Sequence, residues 1–485
     1  MSKQIHFVTL SLILLCGCTL GPKYMPPAVE IPEEWKAPQA EPQLEATEFP
    51  PFADYWWEIF QDETLNQLEQ QVIENNPNLS AALDRVIEAR ANAGIFNANL
   101  YPQVNLNPSY TDTGQLFKIF LPNATQATPG TINPFASIPT VFRIHQFQYA
   151  LPLSMSYELD LWGKLRGEYK SALYSSQAQI EAYHTSLLTL TTDLASYYFQ
   201  LRTYNTQIEL YKDTIDTRRK ALSLAQDRFN KGIVTFLDVA QAELELTNSE
   251  SDYYDAMRLR TLQENQIAVL VGTPASEFKL DVPPLSGPPP IVPAGLPSDV
   301  LKQRPDIAQA ERQMASEHAL IGVAYANFFP SLELTGTLGF LSPDLKDFLK
   351  WKSRYWQIGA NVGQNVFDGN RNAWNLELAL ARYCEASEVY KQQVLIAFRE
   401  VEDALNNLEM QAKQADRLNL SVRAATKSTQ LSNQRYISGV IHYIEVVESE
   451  QSQLIAERSY NAVLGNQYLS TIQLIKAIGG GWPCP

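Results

Sequence analysis

The sequence repeats itself at two fixed spacings along the chain. Residues 77–102 align with residues 305–330 at an offset of 228, and the prolines at both ends recur. Residues 228–253 align with residues 435–460 at an offset of 207, because the first copy contains a longer polar excursion, about residues 112–144. The repeat therefore predicts one fold made of two similar halves rather than two independent domains.

Each half contains a segment of about 68 residues that lacks proline. Gly167 is the only glycine between Gly163 and Gly232, and none occurs between Asn370 and Ser438. Apolar residues follow one another at alternating steps of three and four, a period typical of helices packed side by side. In the first half they include Leu187, Leu190, Leu194, Tyr197 and Leu201, and in the second Val394, Phe398, Val401 and Leu405. We expect two helices, each roughly 100 Å long, that end in a glycine turn and return as a second helix.

Two stretches in each half alternate apolar and polar residues, as strands with one apolar face do. The strand pairs are expected at about residues 103–159 and 331–367. Strands of about ten residues with this pattern fit a transmembrane barrel with a wet interior, although a soluble sandwich has a comparable period. Four strands cannot enclose a channel, so a barrel requires an oligomer, and three copies would supply twelve strands. Pro108 and Pro152 are expected near the rims.

The N-terminus has the features of a secretory leader. A nearly unbroken apolar run at residues 7–16 follows Lys3 and is too short to span a bilayer as a helix. The Leu-Cys-Gly-Cys sequence that ends at Cys18 resembles the bacterial lipobox, which predicts cleavage after residue 17 and lipidation of Cys18. An ordinary leader that happens to contain two cysteines is the alternative. No later segment offers roughly 18 uninterrupted apolar residues, so no membrane-spanning helix is expected.

The composition argues against several classes of function. Lys and Arg number 38 against 53 Asp and Glu, and a net charge of −15 disfavours nucleic-acid binding. Four Cys and five His without ligand spacing indicate neither a disulfide scaffold nor a metal site. The chain has no Gly-rich phosphate loop and no Ser-His or Cys-His arrangement, so we expect no enzyme, no catalytic residue and no cofactor. Cys384 and Cys484 are interpreted as incidental thiols, and a bridge between them stays open.

Several motifs occur in order along the chain. They are residues 18–24 (CTLGPKY), 56–65 (WWEIFQDETL), 158–163 (ELDLWG) and 367–369 (FDG), together with the two glycine turns of the repeat. In this order they resemble the outer-membrane efflux channel family (TolC/OprM-like), in its lipoprotein branch. The resemblance extends over residues 18–478. Trp162 departs from it, because the family often has Phe at that position.

The resemblance implies a homotrimer that joins a twelve-stranded outer-membrane barrel to a periplasmic α-barrel of helices. Such a duct is a passive, gated channel of a Gram-negative bacterium, anchored by its lipid in the outer membrane. It exports drugs or other small molecules when it is docked to a periplasmic adaptor and an inner-membrane resistance-nodulation-division pump.

The predicted organisation follows the repeat and gives a fold that is mainly α with a small β part, namely long coiled-coil helices and four strands per chain. The boundaries are 1–17 for the lipoprotein leader, 18–55 for a Pro-rich tether, 56–282 for the first repeat with its helical hairpin at 163–271, 283–298 for a Pro-rich linker, 299–478 for the second repeat with its hairpin at 370–478, and 479–485 for the tail. The linker prolines allow neither a helix nor a central strand.

The resemblance also assigns functional residues at the ends of the long helices. It implies that an aliphatic ring at Ile444 and an acidic ring at Glu448 close the periplasmic aperture, with Glu445 and its repeat equivalent Asp238 as further candidates. Three carboxylates on a threefold axis would repel one another and would suit cation binding or pH-sensitive opening. A solvated helix face is the alternative interpretation of Glu448.

The two glycine turns are the expected adaptor contacts. They are Gly232 with Ile233 in the first half and Gly439 with Val440 in the second. Glycine permits the tight reversal and exposes the apolar neighbour, although a purely conformational role for the glycine is equally open.

Two other functions remain open at this point. The same fold could serve protein secretion with an ATP-driven exporter, but the lipobox and tether favour the efflux branch. A periplasmic coiled-coil lipoprotein without a channel would conduct no ions and form no heat-sensitive trimer, and it would leave the alternating strands unexplained.

Overall fold

The computed structural model describes residues 21–27, 31–32, 34–36, 55–122, 137–292 and 297–480. The expected leader, Cys18, most of the tether, Cys484 and residues 481–485 of the tail lie outside the described residues. Cys384 is an exposed free thiol.

Within the described residues the chain forms long helices and one antiparallel sheet. The helices are α1 (Glu63–Asn75), α2 (Pro77–Ala98), α3 (Lys164–Asn230), α4 (Phe236–Val271), α5 (Pro297–Gln303), α6 (Pro305–Ala326), α7 (Arg371–Ile437) and α8 (Tyr443–Ala477). The strands are β1 (Gln103–Leu106), β2 (Ser109–Pro122), β3 (Ser137–Leu159), β4 (Ser331–Ser342) and β5 (Arg354–Gly363). Short 3-10 helices lie at Trp56–Phe60, Leu345–Asp347 and Trp351–Ser353.

The helices follow the sequence repeat closely. Helices α2 and α6 have 22 residues each and begin at prolines 228 positions apart. Helices α3 and α7 have 67 residues each, within two residues of the bounds that the absence of proline and glycine predicts. The mainly α fold with two internal repeats and a small sheet is therefore confirmed.

Aspartates at the family-like motifs start both long helices. Asp160 accepts hydrogen bonds from the backbone N–H groups of Leu165 and Arg166, each at 3.0 Å. Asp368 accepts one from the backbone N–H of Asn372 at 3.1 Å. A carboxylate at this position satisfies N–H groups that have no partner inside the helix.

The sheet has the order β1-β3-β4-β5, and β2 also pairs with β3. The registers of β1 and β2 on β3 are continuous, since Leu106 opposes Leu153 and Ser109 opposes Ala150. The two segments therefore occupy one strand position, broken at Pro108, and the sheet has the four strand positions expected. Most of the excursion at 112–144 extends the β2–β3 hairpin, since residues 112–122 pair with residues 137–147. Backbone hydrogen bonds form this pairing and do not require alternating side chains.

Pro152 lies close to one end of the four-stranded part of the sheet, because its partner Gly339 pairs with Tyr355, the second residue of β5. It lies inside β3 opposite Gly339, where a Cβ on Gly339 would come within 2.1 Å of the Leu151 carbonyl oxygen. The β3 backbone passes so close to Gly339 that only a residue without a side chain fits there. The space left by the missing side chain accommodates Pro152 within the strand.

The chain divides into two compact units, each of which takes residues from both halves of the repeat. One comprises described residues 21–24, 91–173 and 316–383 and contains the sheet. The other comprises the described residues within 25–90, 174–315 and 384–480 and contains the main hydrophobic core. The predicted apolar positions Leu194, Leu201, Val394 and Val401 are buried in that core.

Two segments outside the repeats also join this second unit. Trp35 of the expected tether is buried, and its ring meets the Phe398 ring at 6.0 Å. Arg202 on α3 donates to the carbonyl oxygens of Pro283 and Pro284, which fastens the start of the Pro-rich linker. Residues 283–292 form no helix or strand, whereas Pro297 begins α5, at a position where a helix tolerates proline. In the described part of the chain, no helix combines the length and apolar character needed to cross a membrane.

Candidate functional site

The two long helices end in turns of the same geometry. Gly232 has φ +70° and Gly439 has φ +73°, both in the left-handed region that favours glycine. The N–H of Ile233 donates to the Arg228 carbonyl at 2.9 Å, and the N–H of Val440 donates to the Arg435 carbonyl at 2.9 Å. These bonds form the Schellman motif that caps a helix end. A Cβ on either glycine would meet nothing within 4 Å, so the backbone conformation, not lack of space, requires glycine.

The turns expose apolar side chains. Ile233 is 66% exposed and Val440 is 64% exposed, at the two positions where the sequence predicts apolar contacts. Phe236 and Leu237 at the start of α4 are similarly exposed, and the sequence analysis missed them. The Thr-x-x-Asp pattern that starts α4 could have found them, because residues just inside a capped helix end lie close to the turn.

A small core beneath the turns joins α3, α4, α7 and α8. The rings of Tyr436 and Tyr443 are 5.4 Å apart, and Val446 and Val447 pack beside them. The Arg228 guanidinium lies 4.5 Å from the centroid of the Tyr436 ring, a cation–π contact. This cluster holds the two turns as one tip, which we call the helical tip.

The predicted gate residues share one face of α8. Tyr443, Val446 and Val447 face the tip core, whereas Ile444, Glu445 and Glu448 are exposed. Ile444 and Glu448 are four residues apart and therefore lie on the same face of the helix. The structure thus brings these candidates together on the side of α8 that the chain leaves uncovered.

Asp238 has a different role from its repeat equivalent Glu445. Its carboxylate accepts a hydrogen bond from the backbone N–H of Thr235 at 3.0 Å, which completes a capping box at the start of α4. At the start of α8, His442 makes no side-chain cap bond. The Asp238 carboxylate is therefore engaged in the turn, while Glu445 is exposed.

A buried polar network further along the helices was not found from the sequence. Arg218 of α3 is buried and forms an ion pair with Glu245 of α4 at 2.9 Å, and it also donates to the Ser249 hydroxyl. Glu450 of α8 lines a cavity of about 420 Å³ together with Arg218 and Asn433 of α7. Burial raises the pKa of Glu450, and the carboxylate of Glu245 raises it further. Charged groups of α3, α4 and α8 and the Asn433 amide of α7 therefore meet in one largely buried region.

The sheet has one apolar and one polar face. The register places Leu106, Leu153, Leu338 and Trp356 in a single row across all four strand positions, and Val104, Met155 and Ile358 in the next. Most of these side chains are exposed in the single chain. An uncovered apolar surface of this extent indicates contact with lipid or another chain.

The opposite face of the sheet is polar. Asn105, Ser154, Thr337 and Gln357 occupy one row, and Glu158 lies directly opposite Glu333 near the ends of β3 and β4. Lys164 Nζ lies 3.7 Å from the Glu158 carboxylate and partly offsets the repulsion between the two glutamates. Charged side chains on this face fit a wet environment.

Aromatic rings lie at both ends of the apolar face. At one end the Tyr149 ring is 4.9 Å from Tyr110 and 6.0 Å from Phe348. At the other end Trp162 stacks on Phe329 at 4.8 Å, and its indole N–H donates to the Pro330 carbonyl at 2.8 Å. Aromatic bands on both sides of an apolar zone are typical of strands that span a membrane.

Comparison with known proteins agrees with these features. The model of the family "Outer membrane efflux protein" matches residues 68–273 and 296–480. The probable efflux pump outer membrane protein TtgC of Pseudomonas putida is 27% identical over 99% of this chain and 96% of its own length. Outer membrane protein OprJ of Pseudomonas aeruginosa is 27% identical over 99% of this chain and 97% of its own length.

Solved structures of channels have the same fold. The outer-membrane channel OprN superposes with a TM-score of 0.83 at 27% identity, over 96% of this chain and 100% of that one. The Campylobacter jejuni CmeC outer membrane channel gives 0.85 at 26% identity, over 96% and 95%. The family model spans most of the chain, and the relatives match it from end to end. The chain therefore belongs to the outer membrane efflux protein family.

Proposed function

We propose that this protein is the outer-membrane exit duct of a tripartite efflux system, in which three copies form a passive, gated channel. The sheet carries the proposal, because one of its faces is apolar and uncovered while the opposite face is polar. The chain also belongs to a family of outer-membrane efflux proteins. The apolar face contacts membrane lipid and the polar face lines the water-filled path. Relatives that match nearly the whole chain are named as efflux pump outer membrane proteins.

The edges of the sheet support an oligomer. Strand β5 pairs only with β4, and β1 and β2 pair only with β3, among the described residues. Each edge leaves backbone N–H and C=O groups unpaired, and such groups cannot remain so in a membrane. Pairing β5 of one copy with β1 and β2 of the next removes both edges, and three copies do so around one axis.

The exported compounds are drugs or other small molecules. One relative in Pseudomonas putida is named as a toluene efflux pump protein and another as an antibiotic efflux pump protein. A passive duct adds little selectivity, so an inner-membrane resistance-nodulation-division pump chooses the substrate and supplies the energy.

The helical tip is the docking surface for a periplasmic adaptor. The turns at Gly232 and Gly439 expose Ile233 and Val440, and an exposed apolar pair on a rigid turn suits burial against a partner. The nearby exposed face of α8 closes the aperture, with Ile444 as the aliphatic ring and Glu448 as the acidic ring. Glu445 is the next candidate, while Asp238 supports the turn through its cap.

Lipid anchoring at Cys18 completes the proposal. The lipobox-like sequence carries this part, and Cys18→Ser is expected to abolish incorporation of labelled palmitate. Palmitate labelling that persists in Cys18→Ser would contradict lipidation at Cys18.

The proposed export is tested by complementation of a strain that lacks the gene. The parent chain is expected to restore resistance to a panel of antibiotics and solvents. A bulky residue at Gly439 must adopt a left-handed conformation and covers the turn, so Gly439→Leu is expected to abolish export while trimers still assemble. Gly114→Ala is the matched control, since Gly114 lies in the sheet and not at the tip. A Gly439→Leu protein that fails to assemble would instead assign this glycine a purely conformational role.

A further inference from the structure

The loop that joins β4 to β5, residues 343–353, together with Arg354, differs in charge from the rest of the chain. We call this segment the β4–β5 loop. It contains the cationic residues Lys346, Lys350, Lys352 and Arg354 and the acidic residues Asp344 and Asp347. Its net charge is therefore positive, in a chain whose net charge is −15. A local surplus of cations on an acidic protein indicates an anionic partner.

The loop also exposes large apolar side chains. Leu345 and Leu349 are each 67% exposed, and Trp351 is 76% exposed. Three such residues within seven positions cannot all be covered by the short loop itself. Water-soluble loops seldom combine leucine and tryptophan at this exposure, whereas loops at a membrane surface do.

One carboxylate organises the cations. Lys350 Nζ lies 2.6 Å from Asp347 Oδ1, and Lys352 Nζ pairs with the other carboxylate oxygen. Ser353 donates its hydroxyl to the Asp347 carbonyl at 2.7 Å, which tightens the turn. The two lysines lower the pKa of Asp347 to about 2, so the pairs persist at any pH the cell meets. Both ammonium groups stay solvent-exposed while their positions are fixed.

The loop continues the apolar face of the sheet. Phe348 packs against Tyr149, which belongs to that face. Arg354 opposes Phe340 at the end of β5, and its guanidinium lies 3.9 Å from the centroid of the Trp351 ring. Cations and aromatic rings therefore meet where the apolar surface ends.

We propose that the β4–β5 loop is a lipid-binding site that takes phosphate-bearing, anionic lipid headgroups. Leu345, Leu349 and Trp351 enter the interfacial layer, while Lys346, Lys350 and Lys352 contact the phosphates above it. This inference rests on the proposed contact of the apolar sheet face with the membrane. Cations near an anionic surface are attracted to it, and indole rings prefer the headgroup level.

The apolar residues decide between a lipid and a free anion. An inorganic phosphate ion would need the cations but gains nothing from exposed Leu349 and Trp351. A headgroup with attached acyl chains uses both sets. The continuity of the loop with the apolar face adds a geometric reason, because a lipid lying along that face ends at the loop.

The test measures lipid retained by purified full-length trimers. Trimers in mild detergent are exposed to phosphatidylglycerol or phosphatidylcholine, and bound lipids are counted by native mass spectrometry. The parent is expected to retain phosphatidylglycerol preferentially, and K346Q/K350Q/K352Q to retain it about tenfold more weakly. The matched control is R417Q/R423Q/K427Q, which removes the same charge from exposed positions of α7 and is expected to behave as the parent.

A second variant and a competitor test the apolar half of the proposal. L349S/W351S keeps every cation and is expected to lose retention as well. Inorganic phosphate at about 10 mM leaves close charge pairs largely unscreened and should displace little lipid. Equal retention of the two lipids, equal loss in the control variant, or full retention by L349S/W351S would each overturn the proposal. Single-channel conductance of the same trimers tests the proposed channel separately. A failed lipid-binding proposal can therefore be distinguished from a failed channel proposal.

Discussion

Three carboxylates near the helical tip show how environment assigns a role to one chemical group. Asp238 is engaged in a capping box, Glu448 is exposed on α8, and Glu450 is half-buried beside a cavity. The repeat related Asp238 to Glu445, and the family resemblance singled out Glu448. Neither could distinguish their roles, because burial and partners depend on how four helices pack.

The exposed carboxylate makes a prediction about conduction. Replacing Glu448 with Gln or Ala removes three negative charges from the proposed aperture, so single-channel conductance in planar bilayers is expected to rise and block by divalent cations to weaken. Glu385→Gln, at an exposed position of α7, is the control. Unchanged conductance and unchanged cation response would remove Glu448 from the gate.

The half-buried carboxylate makes a prediction about pH. Burial raises the pKa of Glu450, so the folded chain holds this proton more tightly than the unfolded chain does. The charged form therefore lowers stability once the pH exceeds the unfolded pKa of about 4.3. Glu450→Gln is expected to raise Tm at pH 7.5, and its advantage over the parent should shrink as the pH falls to 5. A Tm difference that is constant across this range would contradict the assignment.

Among the elements, the helix starts and ends followed the sequence most closely. Gly163 and Gly232 bracket α3, and the Asp160 and Asp368 carboxylates accept hydrogen bonds from the first turns of α3 and α7. The extension of the β2–β3 hairpin was not predicted, because its residues lack the alternation that marks the rest of the sheet.

The capping box gives an element-scale prediction. Asp238→Ala removes the acceptor of the Thr235 N–H and is expected to cost about 1 kcal/mol locally. Faster hydrogen exchange in the first turn of α4 would report this loss. Glu445→Ala is the repeat-matched control and should leave exchange in α8 close to that of the parent. Equal effects of both substitutions would mean that the cap bond does not stabilise α4.

At the scale of the whole molecule, the fold was predicted mainly from the repeat and the helix lengths. They required two similar halves, and the four strand positions required an oligomer. They did not show that Trp35 packs in the core, because the Pro-rich sequence around it is typical of a free arm. They also did not predict the proposed lipid-binding role of the β4–β5 loop, because that role depends on the apolar sheet face beside the loop.

The burial of Trp35 predicts that the segment before Tyr55 contributes to stability. Trp35→Ala leaves a cavity against Phe398 and is expected to cost about 3 kcal/mol, measured as a lower Tm of the purified protein. Met25→Ala, at an exposed position of the same segment, should change Tm little. Matching effects of the two substitutions would show that Trp35 is not anchored in the core.

The central claim is that the helical tip docks to a periplasmic adaptor, so that substrates pass from the pump into the outer-membrane duct. The most direct test places a photo-crosslinking residue at Val440 in a tagged copy in cells, with one at exposed Leu420 as control. Captured partners are then identified by mass spectrometry. The account predicts a periplasmic adaptor crosslinked at Val440 and not at Leu420, recovered together with a resistance-nodulation-division pump. Recovery of an ATP-driven protein exporter instead would contradict it.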